Sequence, residues 1–305
     1  ATADSNETTL TTIDPTADRT IKLPNNDGCL AILAADSSVQ ITATPAELNV
    51  LDGITATVAD TDMATLVTLT DVANSAYAVT VSDSSITAAN LITLNGLTDT
   101  AITVNSSTVT GTRANVNTVL GYATTVATGL DDIDATVSDA STVDQINATA
   151  ALTTGSITAT ISDNDVATLS GLHETGNVYT ISITDGTVSA AAVNAINAKT
   201  DGVITLTSTN VTGALTDIKA LYDANTAGTV TGLGDEALTI SDAGSITSED
   251  LNDLNILTTG VVTVTNVTIV EGTLSELLSS YSESNIAGVI SGLSDEAITV
   301  TDTGS

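Results

Sequence analysis

The residues with the most chemical potential in this chain are acids that recur at fixed places. Asp83, Asp139, Asp163, Asp185, Asp242 and Asp302 each follow a short alternating apolar run. Stacked on one another, such carboxylates could bind Ca2+ through side-chain and carbonyl oxygens. The best candidates are Asp163 and Asp165 in Asp163-Asn164-Asp165, with Asp139, Asp185 and Asp242 beside them and Asp60-Thr61-Asp62 as a second cluster. Neither cluster opens an EF-hand loop, and the paired-glycine nonapeptide of calcium-binding β-rolls is missing. The competing reading makes these acids turn and cap residues that satisfy backbone donors at each corner.

Other chemistry is sparse. His173 is the only histidine and Cys29 the only cysteine. Zinc needs a cluster of such ligands, and no Ser/His/Asp or Cys/His set assembles. His173 reads as a surface residue near a helix end, and Cys29 as a small buried apolar residue with no partner for an internal disulfide. A polysaccharide-acting enzyme would pair acids with aromatic or basic residues in a groove; Phe and Trp are absent and Lys plus Arg number 5. No enzymatic activity and no cofactor other than Ca2+ is expected.

The elements that hold these acids repeat. Asp235-Glu236-Ala237-Leu238-Thr239-Ile240-Ser241-Asp242 returns as Asp295-Glu296-Ala297-Ile298-Thr299-Val300-Thr301-Asp302. Related alternating runs stand at 78–81, 101–104, 203–206 and 261–264, which predicts strands buried on one face. Val79/Val81, Ile102/Val104, Ile204/Leu206, Leu238/Ile240 and Ile298/Val300 should point inward. Thr80, Thr103, Thr205, Thr239, Thr263 and Thr299 should form an outward row.

After each run comes an apolar stripe at helical spacing: Leu91/Leu94/Leu97, Val116/Val119/Leu120, Val143/Ile146, Val166/Leu169/Leu172, Val193/Ile196, Leu215/Ile218/Leu221, Leu251/Leu254/Leu257 and Leu274/Leu277/Leu278. Hydroxyls three residues ahead of an acid or amide mark helix starts at Thr44/Glu47, Thr142/Gln145, Thr247/Asp250 and Thr273/Glu276. Asparagines beside the stripe, among them Asn117, Asn147, Asn194 and Asn252, suggest a ladder of stacked amides.

A strand, a turn and a one-sided helix in about 22 residues is one coil of a β/α solenoid with a parallel sheet. Three longer steps insert Tyr122 to Leu130, Tyr222 to Leu233 and Tyr281 to Leu293. Each insertion predicts an extra short strand with the tyrosine packed at its root. The organisation expected is a β-rich N-terminal cap or attachment segment at 1–44, transition coils at 45–75 and the solenoid array at 76–305. The chain begins without Met and stops soon after a new strand, so it reads as a piece of a longer parent.

Composition narrows the partners. Asp plus Glu number 37 and the net charge is -32. That excludes a basic nucleic-acid footprint and disfavours anionic membrane surfaces. No apolar stretch is long enough to insert into a membrane.

Two N-terminal stretches carry a resemblance. The run Ile13-Asp14-Pro15-Thr16-Ala17-Asp18-Arg19-Thr20-Ile21-Lys22-Leu23-Pro24, with Gly28 after it, resembles a segment of tail-fibre and other virion structural proteins of marine bacteriophages, cyanophages especially. Residues 41–57, ITATPAELNVLDGITAT, are similar to the short TAxELNxLDGxTAT repeat of the same fibres. The array at 76–305 is similar to repeats in large surface proteins of marine cyanobacteria and their phages. The resemblance implies an extracellular structural or adhesive fibre, on a virion or a cell surface. Open strand edges are otherwise an aggregation hazard, so the solenoid is expected to pair end to end with itself or with other fibre or virion subunits; a host-surface glycan or protein is the expected receptor. The alternative is a repeat segment of a bacterial adhesin or sheath protein, stiffened by Ca2+.

Overall fold

A computed structural model describes residues 56–69, 76–122, 124–282 and 289–302. The expected N-terminal cap, Cys29, the Thr44/Glu47 start and both phage-like stretches, apart from Ala56 and Thr57, lie outside the described residues.

The described chain is α/β, and every strand pair in it is parallel. The first pair is β1 (Ala56–Thr57) with β2 (Tyr77–Ala78). A three-stranded sheet follows: β3 (Thr80–Val81), β5 (Ile102–Val104) and β7 (Ala127–Thr128). A seven-stranded sheet takes β4 (Ser85–Thr87), β6 (Thr108–Gly111), β8 (Asp134–Val137), β9 (Ile157–Thr160), β10 (Val178–Ile183), β12 (Ile204–Leu206) and β14 (Val230–Thr231) in chain order. The last sheet joins β11 (Thr187–Ser189), β13 (Asn210–Gly213), β15 (Ala237–Thr247) and β16 (Val262–Gly272). Strands β17 (Ile290–Ser291) and β18 (Ala297–Val300) both pair with β16.

Strands of successive repeats therefore lie side by side. Ile86 stands opposite Val109, and Val109 opposite Ala135. The ladder steps sideways within β10, whose first half pairs with β9 and second half with β12. Hydroxyls line up with the same register: Thr87, Thr110, Thr136 and Thr158 form one row, and Ser189, Thr212, Thr239, Thr263 and Ser291 another. The predicted extra strands are present as β7, β14 and β17.

Nine helices stand among the described residues: α1 (Met63–Leu66), α2 (Ala88–Asn95), α3 (Arg113–Leu120), α4 (Val143–Ala150), α5 (Val166–Leu169), α6 (Ala190–Asn197), α7 (Leu215–Ala227), α8 (Ser248–Leu257) and α9 (Leu274–Ser282). They are too short to persist alone, so their apolar stripe must be held by packing. Leu91 and Leu94, Val116 and Val119, Val193 and Ile196, and Leu251 and Leu254 are all buried in one core with the inward strand residues. The capping box at Thr142/Gln145 forms in both directions. At α9 Thr273 N–H donates to Glu276 Oε2 at 2.8 Å, and Glu276 N–H returns to Thr273 Oγ1 at 3.3 Å.

The final unit is less buried than the others. Ile298 and Val300 are 54% and 51% exposed, although their repeat counterparts Leu238 and Ile240 are fully buried. Of Leu274, Leu277 and Leu278, only Leu277 is buried. An inward side chain here is sealed by the unit that follows it, and no later strand lies over β18 among the described residues.

Candidate functional site

The recurring acids fall into one geometry. Each accepts a hydrogen bond from the first helical amide of the preceding repeat. Met63 N–H donates to Asp83 Oδ2 at 2.8 Å, Arg113 to Asp139 Oδ1 at 2.6 Å, and Val143 to Asp163 Oδ2 at 2.7 Å. Val166 donates to Asp185 Oδ2 at 2.7 Å, Leu215 to Asp242 Oδ2 at 2.6 Å, and Leu274 to Asp302 Oδ2 at 2.7 Å. A helix leaves its first amides without internal partners. A carboxylate there makes a charge-assisted bond and meets the positive end of the helix dipole. The acid comes from the next repeat, so each bond is a joint between units.

Asp165 does a different job from its neighbour Asp163. It caps its own helix α5, accepting Thr168 N–H at 2.8 Å. That backbone bond, then the Thr168 hydroxyl, holds its carboxyl below the usual range. Asp62 caps α1 in the same way, and its own amide donates to Asp60 Oδ1 at 2.9 Å. The five candidate metal ligands thus sit at the starts of α3 (Asp139), α4 (Asp163), α5 (Asp165 and Asp185) and α7 (Asp242). Among the described residues no three His, Cys, Asp or Glu side chains converge as a metal-holding group.

Three helices meet a glycine instead of an acid. A Cβ on Gly111 would stand 3.3 Å from Ala88 Cβ, one on Gly213 3.4 Å from Ala190 Cβ, and one on Gly272 3.0 Å from Ser248 Cβ. Ala88, Ala190 and Ser248 are the first residues of α2, α6 and α8, and all are fully buried. A small first residue thus goes with glycine, and a larger one with aspartate.

Sequence reasoning missed two further devices. The first is a threonine after a helix that reaches back one unit. Thr200 Oγ1 donates towards Tyr179 O at 3.2 Å while accepting from Tyr179 N–H at 2.7 Å and Gly202 N–H at 2.9 Å. Thr98 does the same with Tyr77 and Thr100. Thr153 bonds Ile133 O and Gly155 N–H, and Thr258 bonds Glu236 O and Gly260 N–H. The signal was the recurring Thr-x-Gly at 153–155, 200–202 and 258–260.

The second is the glutamate that holds the expected tyrosine at the root of an insertion. Tyr222 Oη–H donates to Glu236 Oε1, and Glu236 Oε2 accepts from Gly234 N–H at 2.8 Å and Asp235 N–H at 3.2 Å. Glu236 is only 1% exposed, and a buried carboxylate demands such partners. Tyr281 donates to Glu296, which also accepts from Ser294 and Asp295 N–H. Burial pushes the Glu296 carboxyl up, but the Tyr281 hydroxyl and these amides outweigh it and hold it below the usual range. Burial first, and then the Glu296 carboxylate, push the Tyr281 hydroxyl upward. In the first insertion Ile133 takes the glutamate's place, and burial raises the Tyr122 hydroxyl.

The asparagines bridge units but do not stack as amides. Asn147 Nδ2 donates to Gly171 O at 2.8 Å, Asn194 to Asp217 O at 2.9 Å and Asn252 to Glu276 O at 3.2 Å. Each accepting carbonyl belongs to the following unit. Lys219 Nζ lies 2.9 Å from Asp250 Oδ1 on the following helix. That bond raises the lysine, and it joins the Thr247 hydroxyl in lowering Asp250 against the effect of burial. Burial, with the Glu174 charge behind it, pushes the Tyr179 hydroxyl up to about 12.

His173 is exposed, and its carbonyl accepts from Lys199 Nζ at 3.0 Å. An open cleft of about 520 Å3 nearby is lined by Thr153, Ser156, Asn177 and one acid, Glu174. No helix among the described residues is long and apolar enough to cross a membrane. Comparison with protein-family models, curated proteins and solved structures finds no match to this chain.

Proposed function

We propose that the array is a β/α solenoid and that it serves as a non-enzymatic structural or adhesive segment of an extracellular fibre, in the first place a phage virion fibre. The observation that carries this reading is the joint: six helices have their first amide closed by an acid of the following repeat. No such unit is complete by itself, and adding units lengthens the stack without changing its chemistry. The acids act as clamps between layers. The phage-like stretches at 13–24 and 41–57 support the virion assignment, and an acidic, hydroxyl-rich surface suits exposure to salt water.

The array's resemblance to marine cyanobacterial surface proteins supports a second reading, a repeat segment of a cell-surface adhesin or sheath stiffened by Ca2+. Small-angle X-ray scattering tests the shape that both readings need. Parallel strands stacked about 4.8 Å apart should give a rod of constant cross-section. Its radius of gyration should lie well above the about 19 Å of a compact chain of this length. A compact particle would sink the proposal. Calcium-specific stabilisation would move the assignment from virion to adhesin.

A further inference from the structure

The root of the second insertion opens into a cleft of about 360 Å3, lined by Ser208, Thr209, Gly232, Asp235 and Glu236 among others. Glu236 is 1% exposed and Ser208 6%. A carboxylate offers about four lone-pair sites. Three of those on Glu236 are taken, by the Tyr222 hydroxyl and the Gly234 and Asp235 amides. All three donors are neutral, and no basic side chain pairs with Glu236 among the described residues. The buried carboxylate is hydrogen-bonded but has no counter-charge, and buried charges ordinarily have one. Ser208 gives an independent sign. Its Oγ is buried and has no hydrogen-bond partner among the described residues, which folded chains rarely tolerate.

The three insertions serve as controls for one another. Thr108 stands opposite Asp134, Asn210 opposite Ala237 and Ile269 opposite Ala297. Two residues before the first member of each pair come Ser106, Ser208 and Val267. One residue before the second come Ile133, Glu236 and Glu296. Only the middle insertion therefore sets a buried hydroxyl beside the root glutamate. We infer that its cleft is a binding site for a partly hydrated Mg2+ ion, held by the Glu236 and Asp235 carboxylates. Mg2+ sheds its water reluctantly and binds through one or two carboxylates, whereas Ca2+ takes about six to eight oxygens. Water kept on the ion gives Ser208 a hydrogen-bond partner. Ser208 lies between β12 and β13, and Glu236 follows β14, so the ion ties the inserted strand to the unit before it. The site stands whether or not the array serves in a fibre.

Mn2+ is the probe, because carboxylate and water ligands suit it as they suit Mg2+. The whole chain is titrated at seawater ionic strength, where diffuse attraction to the acidic surface is screened. Loss of the free-ion electron paramagnetic resonance signal should saturate at a single Mn2+ per chain. Mg2+ should displace that ion at lower concentration than Ca2+ does. Asp235→Asn and Glu236→Gln should each weaken binding by at least about tenfold, and Ser208→Ala by about threefold. Ser106→Ala, Glu296→Gln and Asp163→Asn should leave the affinity unchanged. Glu236→Gln can also loosen the insertion, so Asp235→Asn, at an exposed side chain, is the deciding variant. Absence of saturable binding, or several equivalent sites, would overturn the inference. So would displacement by Ca2+ ahead of Mg2+, or an affinity indifferent to both Asp235→Asn and Ser208→Ala.

Discussion

Aspartate joints and glycine joints occupy equivalent places and work differently. At an aspartate joint the next repeat reaches out with a carboxylate, so the helix may begin with Arg113, Val143, Leu215 or another sizeable residue. At a glycine joint the next repeat presents bare backbone, and a buried alanine or serine packs onto it. One solution supplies an electrostatic bond, and the other supplies close packing. Joints from Arg113 to Asp185 are all of the aspartate kind, whereas from Ala190 to Asp302 the two alternate. Stiffness against pulling and sensitivity to screening should therefore differ between the two stretches. The lesson is that a repeat conserves the contact and leaves the residues making it free to change in pairs.

Exchanging the two kinds of joint should do the greatest damage. Gly213→Asp forces a side chain and a charge against buried Ala190, for a loss of about 3 kcal/mol in chemical denaturation. A loss below that of the cap deletion described next would mean the glycine contact is slack. Asp242→Ala removes an outside cap from α7, a helix whose own cap position is Ala214 and makes no side-chain bond. About 1.5 kcal/mol should go. Asp163→Ala should cost less, because α4 keeps its capping box.

The tyrosine roots sharpen the same contrast between polar and apolar solutions. Tyr222→Phe strips a donor from buried Glu236 and should cost about 1 kcal/mol or more. Tyr122→Phe, in the insertion where Ile133 holds the glutamate's sequence position, should be close to neutral by the same assay. Equal effects would deny the glutamate its role.

Acid acts on Glu296 in a defined direction. Its folded carboxyl sits below its ordinary value, so its contribution is present above the ordinary carboxylate range and is lost as pH falls through the folded value. The melting-temperature gap between wild type and Glu296→Gln should be open at neutral pH and close under acid. A gap that widens on acidification would reverse the assignment.

The smallest expected effect concerns metal. If the corner acids are clamps, Ca2+ should raise the melting temperature no more than Mg2+ at equal ionic strength, and EDTA should not lower it. A calcium-specific rise that disappears in Asp163→Asn would make the acids ligands.

How the sequence encoded each layer differs. Alternating apolar residues located β5, β12, β15 and β16 with their inward faces, because burial on one side of a strand is a local property. Three- and four-residue spacing located α2 to α9 for the same reason. The reading of the acids left cap and ligand both open, since a carboxylate after a strand looks alike in either use. Thr200 and Glu236 carried no meaning until their partners were known. Tyr179 lies one repeat back from Thr200, and Tyr222 lies across an insertion from Glu236. Asn147 reads as one rung of an amide ladder, but it holds the Gly171 carbonyl of the following unit.

By itself the sequence determined the repeat, the order of strand and helix, and which side of each is apolar, because these follow from residue periodicity along a continuous stretch. Only the tertiary structure decided which amide each aspartate holds and where glycine replaces it. Those outcomes depend on a neighbouring unit at a variable separation in sequence, and a hydrogen bond or a sealed face exists only when that neighbour is in place.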